Sequence, residues 1–238
     1  MTATETRRQL TLPGQTHTAE GPHDQTGMYV MHHGFRRDLD RFVAAVRRTP
    51  IGEAEVWTAL QRRWATFDLV LHHHHRVEDD SIWPVLLEHA DADGDTTDRR
   101  TLEDMEAEHD VIDPGLREVG SAFAALVGHP CEDHRNALDI RVTALQERLL
   151  EHLRHEETEA LPMVQRRLTA EEWDTAEKAA AKAYPLRMVP FLVPWVLDSL
   201  PDDGRERMFA MAGQGYRVLA ALARPRYERR ERLAFRYL

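Results

Sequence analysis

The sequence lacks what would place it in several large classes of protein. It has one cysteine, Cys131, in 238 residues. That excludes an internal disulfide framework and fits a reducing cytoplasm. No apolar run approaches the ~20 residues needed to cross a bilayer, so no membrane association is expected. Residues 1–27 lack the apolar stretch of a secretory signal. Basic charge is in deficit: 31 Lys and Arg against 41 Asp and Glu give a formal charge of −10. Such a balance argues against non-specific nucleic-acid binding, which needs a basic footprint. Alternating apolar and polar segments are also missing, so nothing supports strands. Histidine is the exception, at 14 residues, and it carries information only if the positions converge.

Helical periodicity dominates. Residues 1–25 are polar, with Pro13, Gly14, Gly21 and Pro22, and read as a flexible arm. From residue 26, Tyr29, His32, Phe35, Leu39, Phe42 and Val46 recur three or four apart, until Thr49-Pro50-Ile51-Gly52 ends the pattern. A second helix is expected over 53–89, with Leu60, Trp64, Phe67, Leu71, His74 and Glu78 on one stripe and a kink or break near Pro84. A third, over 96–127, carries Leu102, Met105, His109, Ile112, Leu116, Val119 and Phe123, and Pro114 should bend it. A fourth, over 132–167, carries Leu138, Val142, Leu145, Leu149, His152 and Glu156. Four long amphipathic helices with short connections predict an all-α, antiparallel up-down-up-down four-helix bundle over 26–168. Residues 169–238 form a helical C-terminal extension. It opens on a capping box at Thr169–Glu172, contains a proline-broken apolar run over 185–197 and a further helix over 205–223, and ends in an arginine-rich amphipathic tail. The apolar run reads as an added helical layer, or as a lid or dimer contact.

The chain repeats itself. An offset of 78 carries Leu60, Trp64, Phe67, Leu71, His74 and Glu78 onto Leu138, Val142, Leu145, Leu149, His152 and Glu156. An offset of 77 carries His32, Phe35, Leu39, Phe42 and Val46 onto His109, Ile112, Leu116, Val119 and Phe123. Each half thus supplies one His, then a His four residues before a Glu. Positions i and i+4 share a helix face, so each pair aims an imidazole and a carboxylate at one point. Burying carboxylates without partners costs several kcal/mol, and a pair of iron ions removes that objection with nitrogen ligands outside and carboxylates between. The repeat also chooses His152 and Glu156 over the equally spaced His155 and Glu159. On the first helix it chooses His32 over His33.

The order His32, His74-x-x-x-Glu78, His109, His152-x-x-x-Glu156 resembles the hemerythrin-like family of HHE cation-binding, non-heme diiron proteins. The local contexts His74-His75 before Glu78-Asp79 and His152-Leu153 before Glu156-Glu157 resemble it too. The resemblance spans roughly 26–168. It implies a bundle around two iron ions, oxo- or hydroxo-bridged, with His32 and His74 on one, His109 and His152 on the other, and Glu78 and Glu156 bridging. Oxygen-carrying hemerythrins have a second His one turn after the third-helix ligand, where this chain has Asp113. They also have an Asp five residues after the last His, where this chain has a Glu at four. The count of four His leaves an open position. That opening points to catalase- or peroxidase-like reaction with hydrogen peroxide or dioxygen, and some bacterial relatives with this reduced set are catalases.

Several residues keep two readings. Asp113 is a further candidate ligand, or a hydrogen-bond partner of a ligating His. Tyr29, one turn before His32, offers a phenol to the centre or packs in the core. Glu157 is a candidate proton shuttle. His72, His73 and His75 point in directions other than that of His74 and read as solvated or supporting residues. The competing functions are reversible binding or sensing of O2 or NO, a diiron oxidase acting on an organic substrate, and structural zinc or manganese. A monomer or homodimer without macromolecular partners is expected.

Overall fold

The computed structural model describes residues 6–238. It is all-helical, with no strand among the described residues. The helices that carry the repeated stripes are α1 (Thr26–Arg48), α2 (Ala54–Ser81), α4 (Thr96–Gly128) and α5 (Glu132–His155). α5 lies against α4 and α1, and α2 lies against α4. The duplicated apolar positions form the core between them. Phe35, Leu39, Phe42, Val46, Leu60, Trp64, Phe67 and Leu71, and their eight counterparts in the second half, are each at most 2% exposed. Each such side chain contributes about 1.5–3 kcal/mol on burial, so the repeated stripe is the main source of cohesion.

The punctuation follows local chemistry. Pro84 has no N–H to continue α2, and the chain restarts as α3 (Trp83–Asp93) with the proline in its first turn. Gly94, at φ 67°, closes α3 in the left-handed region. Asp95 then caps α4 by accepting from the N–H groups of Thr97 and Asp98, both at 3.1 Å. α4 runs through Pro114. The fourth expected helix is not continuous. Between α5 and α6 (Leu161–Arg167), residues Glu156–Ala160 form a π-helical turn in which Leu161 N–H bonds to the Glu156 carbonyl.

The expected capping box is present: Thr169 and Glu172 cap each other at the start of α7 (Ala170–Ala183). α8 (Val189–Leu197) lies on α1, where Trp195 sits so close to Gly34 that a Cβ there would come within 2.7 Å of the indole. α9 (Asp202–Ala234) breaks at Gly213, φ 78°, and continues through Pro225. The segment read from sequence as a tail is therefore helical as far as Ala234.

The first 25 residues need a similar correction. Residues 1–5 lie outside the described residues, but 6–25 are packed rather than free. Leu10, Leu12 and Ala19 enter the core. Ala19 N–H donates to the Tyr29 hydroxyl at 2.8 Å, and Gln165 Nε2 donates to the Ala19 and His23 carbonyls. Composition suggested mobility because the anchoring residues are few and mostly polar.

Candidate metal centre

α1, α2, α4 and the α5–π junction each direct side chains into one buried volume. The residues whose donor atoms approach one another fall into two groups: His32, His74, Glu78 and Glu156; and His75, His109 and His152. His32 Nε2 is 3.1 Å from Glu156 Oε2, and His74 Nε2 is 3.0 Å from Glu78 Oε1. The second oxygen of Glu78 lies 3.7 Å from His109 Nε2, and Glu156 Oε2 lies 3.9 Å from His152 Nε2. Glu78 and Glu156 thus stand between the two imidazole groups. All seven residues are at most 6% exposed.

His75 joins His109 and His152, a position the sequence reading did not give it. Its ring stacks on that of His109 at 4.0 Å and 8°. Consecutive helical residues diverge by about 100°, which argues against both facing a single ion. A centre with two groups of donors is broad enough for α2 to meet it from both sides of His74. The repeat concealed this, because the counterpart of His75 is Leu153. His75 is thus a candidate fifth imidazole beside His109 and His152, where the sequence reading weighed Asp113.

Asp113 stands behind the site: its carboxylate accepts from His75 Nδ1 at 3.2 Å and from His72 Nδ1 at 2.9 Å. The same arrangement recurs. His32 Nδ1 donates to Glu157 at 3.0 Å, His109 Nδ1 to Asp79 at 2.8 Å, and His152 Nδ1 to Glu108 at 2.7 Å. A carboxylate only accepts, so Nδ1 carries the proton in each ring and Nε2 is left as the donor to a cation. Asp79 and Glu108 were not picked out from sequence. Asp79 directly follows Glu78 on α2 and Glu108 directly precedes His109 on α4, a weak signal because exposed acids are common there.

Glu157 does not suit the shuttle role. Its carboxylate also accepts from Thr16 N–H at 2.7 Å and Arg36 Nη1 at 2.7 Å. Burial would raise its pKa, but His32 and Arg36 outweigh burial and hold it below the usual carboxylate range. It is a fixed anion that orients His32. The π turn brings it inward, since Glu156 and Glu157 are adjacent yet both fully buried. Tyr29 also turns away: its hydroxyl donates to Gln25 Oε1 at 3.1 Å. Burial, then the Glu157 and Glu156 charges, outweigh the Ala19 hydrogen bond and push the phenol up to about 12. His155 bonds Glu108 and Glu159 is exposed, so the pair rejected on phase lies outside the centre.

Without a cation the site is electrostatically unresolved. Burial, then the neighbouring Glu156, push Glu78 well above the usual carboxyl range. Burial pulls His32 down, but Glu156 and Glu157 raise it to about 9, whereas burial and His32 push His74 down to about 3. The direct test of fit is the set of orphaned atoms. Nε2 of His32, His74 and His75 and all four oxygens of Glu78 and Glu156 are buried without a hydrogen-bond partner. Buried polar atoms are ordinarily paired, so seven orphans facing one volume fit ions of two or more positive charges.

An all-helical core enclosing imidazoles and carboxylates in this way defines a cation-binding helical protein. A profile of the hemerythrin HHE cation binding domain matches residues 24–164, more than half of the chain, and the chain belongs to that family. No curated protein and no solved structure matches it. Among the described residues, no helix is long and apolar enough to cross a membrane.

Proposed function

We propose that the chain is a non-heme diiron protein that reacts with hydrogen peroxide. In this reading α1, α2, α4 and α5 form an antiparallel four-helix bundle around the irons, and residues 169–238 form a helical extension. His32 and His74 would hold one iron, His75, His109 and His152 the other, and Glu78 and Glu156 would bridge them. The irons would supply reversible one-electron chemistry at a position that a peroxide oxygen can reach.

The observation that carries this reading is the row of carboxylates behind the imidazoles. Glu157, Asp113, Asp79 and Glu108 each accept a hydrogen bond from Nδ1 of a different ring. Such partners make the opposite nitrogen more basic. Together with two bridging carboxylates they favour the ferric state, and ferric centres take peroxide in preference to dioxygen. Phe35, 5.1 Å from His74 between ring centroids, and Trp195 behind it keep water from that side. An open groove of 560 Å³ between α4 and α5 is lined by Glu108, Ile112, His152 and His155, and gives small molecules a route to the His152 side. Glu108 is partly exposed and shared by His152 and His155, so it takes the proton-carrying role first expected of Glu157.

Purified protein should contain two irons per chain and release oxygen from peroxide, and His74→Ala should abolish both. A wild-type chain with two irons and no peroxide consumption sinks the proposal. The fifth imidazole supports a second reading, reversible dioxygen binding, because it leaves the His32 side one nitrogen short of the other. That reading predicts a reversible spectral change when the reduced protein meets air, with no net consumption.

A further inference from the structure

Far from the centre, the turn between α4 and α5 gathers the chain's one thiol and two more imidazoles. On α4, Gly128 lies nineteen positions beyond His109, roughly 28 Å of helix. Beyond Gly128 the sequence reads His129-Pro130-Cys131-Glu132-Asp133-His134. We propose that His129, Cys131 and His134 form a second metal site, which takes one zinc-class divalent ion through two nitrogens and a thiolate.

One donor atom from each of the three lies within 4.8 Å of the others. Zinc–nitrogen and zinc–sulfur bonds of about 2.0–2.3 Å place tetrahedral ligands somewhat closer than that, so small side-chain rotations close the set. His129 is the C-cap of α4 and Cys131 the N-cap of α5, and the thiol makes no capping hydrogen bond. His134 Nδ1 donates to the His129 carbonyl at 2.7 Å. That bond fixes the tautomer and leaves Nε2 unprotonated, the arrangement typical of a metal-binding imidazole. The rings of His129 and His134 stand edge-on at 5.5 Å and 87°. A sulfur and two imidazoles suit zinc and its neighbours over hard ions such as magnesium or calcium. His129 is exposed and the other two are partly exposed, so the fourth position faces water. The site lies in the connection between α4 and α5, apart from the helix faces that carry the buried centre.

Cobalt(II) separates the two sites. The buried centre has only nitrogen and oxygen donors, so a thiolate-to-cobalt charge-transfer band reports the turn alone, whatever the state of the centre. Titrating the full-length chain with cobalt under a non-thiol reductant should produce that band. Cys131→Ser should lose the band and one equivalent of bound zinc, with circular dichroism and iron content unchanged. His134→Ala keeps the thiol and should lose the band too. As a second readout, zinc should slow alkylation of Cys131 at least tenfold in the wild type and leave it unaltered in His134→Ala. A wild-type chain without the thiolate band at saturating cobalt, or equal zinc stoichiometry in Cys131→Ser, overturns the proposal. Neither result depends on what the buried centre does with peroxide.

Discussion

Two clusters of buried charge share helix α1, and they are solved in opposite ways. One is the centre around His32. The other lies further along α1 at Asp38, which is fully buried. There every carboxylate meets a guanidinium. Asp38 Oδ1 accepts from Arg37 Nε at 3.1 Å and Nη2 at 2.9 Å. Its Oδ2 accepts from Arg63 and from the Trp195 indole at 2.8 Å. Arg63 Nε also donates to Glu231 at 2.7 Å, which ties α9 to α2. One nitrogen of Arg63 and one oxygen of Glu231 are left over, whereas in the centre all four oxygens of Glu78 and Glu156 are orphaned. The protein neutralises the Asp38 cluster with its own arginines. Around His32 it assembles acids and imidazoles with no arginine or lysine on Glu78 or Glu156, and that contrast separates a structural network from a binding site.

The strongest way to break the comparison is to remove one acid from each. Asp38→Ala leaves Arg63 buried without its main partner, and loss of one member of a buried pair costs about 3–5 kcal/mol. Urea denaturation should show that loss equally with and without metal. Glu78→Gln should act with the opposite sign in the metal-free protein. Glutamine matches the neutral acid in shape and removes the cost of placing a second charge beside Glu156, so stability should rise while iron binding is lost. If Glu78→Gln instead destabilises the metal-free chain as Asp38→Ala does, the centre is a self-sufficient network and not a cation site.

Acid should reveal the same difference more gently. Burial alone would raise Asp38, but Arg63, then Arg37, and the Trp195 indole hold it below the ordinary carboxylate range. A carboxyl whose folded pKa is depressed binds protons more readily in the unfolded chain. Its stabilisation is therefore present above the unfolded value of about 3.9 and is lost as pH falls through the lower folded value. The stability difference between wild type and Asp38→Asn, followed by denaturation from pH 6 downward, should hold steady to about pH 4 and then shrink. A difference that grows below pH 4 would contradict the assignment.

The two clusters were not equally legible in the sequence. The duplicated stripes exposed the core and six of the seven residues in the centre, because both depend on helical phase and the two halves check each other. His75 broke that register, since the repeat places Leu153 opposite it. The π turn was also invisible: it depends on how Glu156–Ala160 meet α1 and the N-terminal segment in space. The Asp38 network could not be read at all. Its members Asp38, Arg63, Trp195 and Glu231 lie on four helices far apart in sequence, and only tertiary packing makes them neighbours.

The smallest expected effect concerns the residue that sequence reading held in two roles. If Asp113 supports His75 without binding metal, Asp113→Asn keeps a hydrogen-bond acceptor near Nδ1 and removes only the charge behind the ring. Losses of supporting groups of this kind weaken metal binding about 10–100-fold, or about 1.4–2.7 kcal/mol. Competition titration with a coloured chelator should read that loss while both ions can still bind. The stability of the metal-free protein should hardly change, because the Asp113 side chain is 24% exposed and can be solvated. His72 shares the same carboxylate at 2.9 Å but is half exposed, so His72→Ala is the control and should leave affinity unaltered. If Asp113→Asn removes an iron outright, Asp113 is itself a ligand and the fifth nitrogen is not His75. If it changes nothing, the stacked pair of His75 and His109 holds its orientation by packing alone.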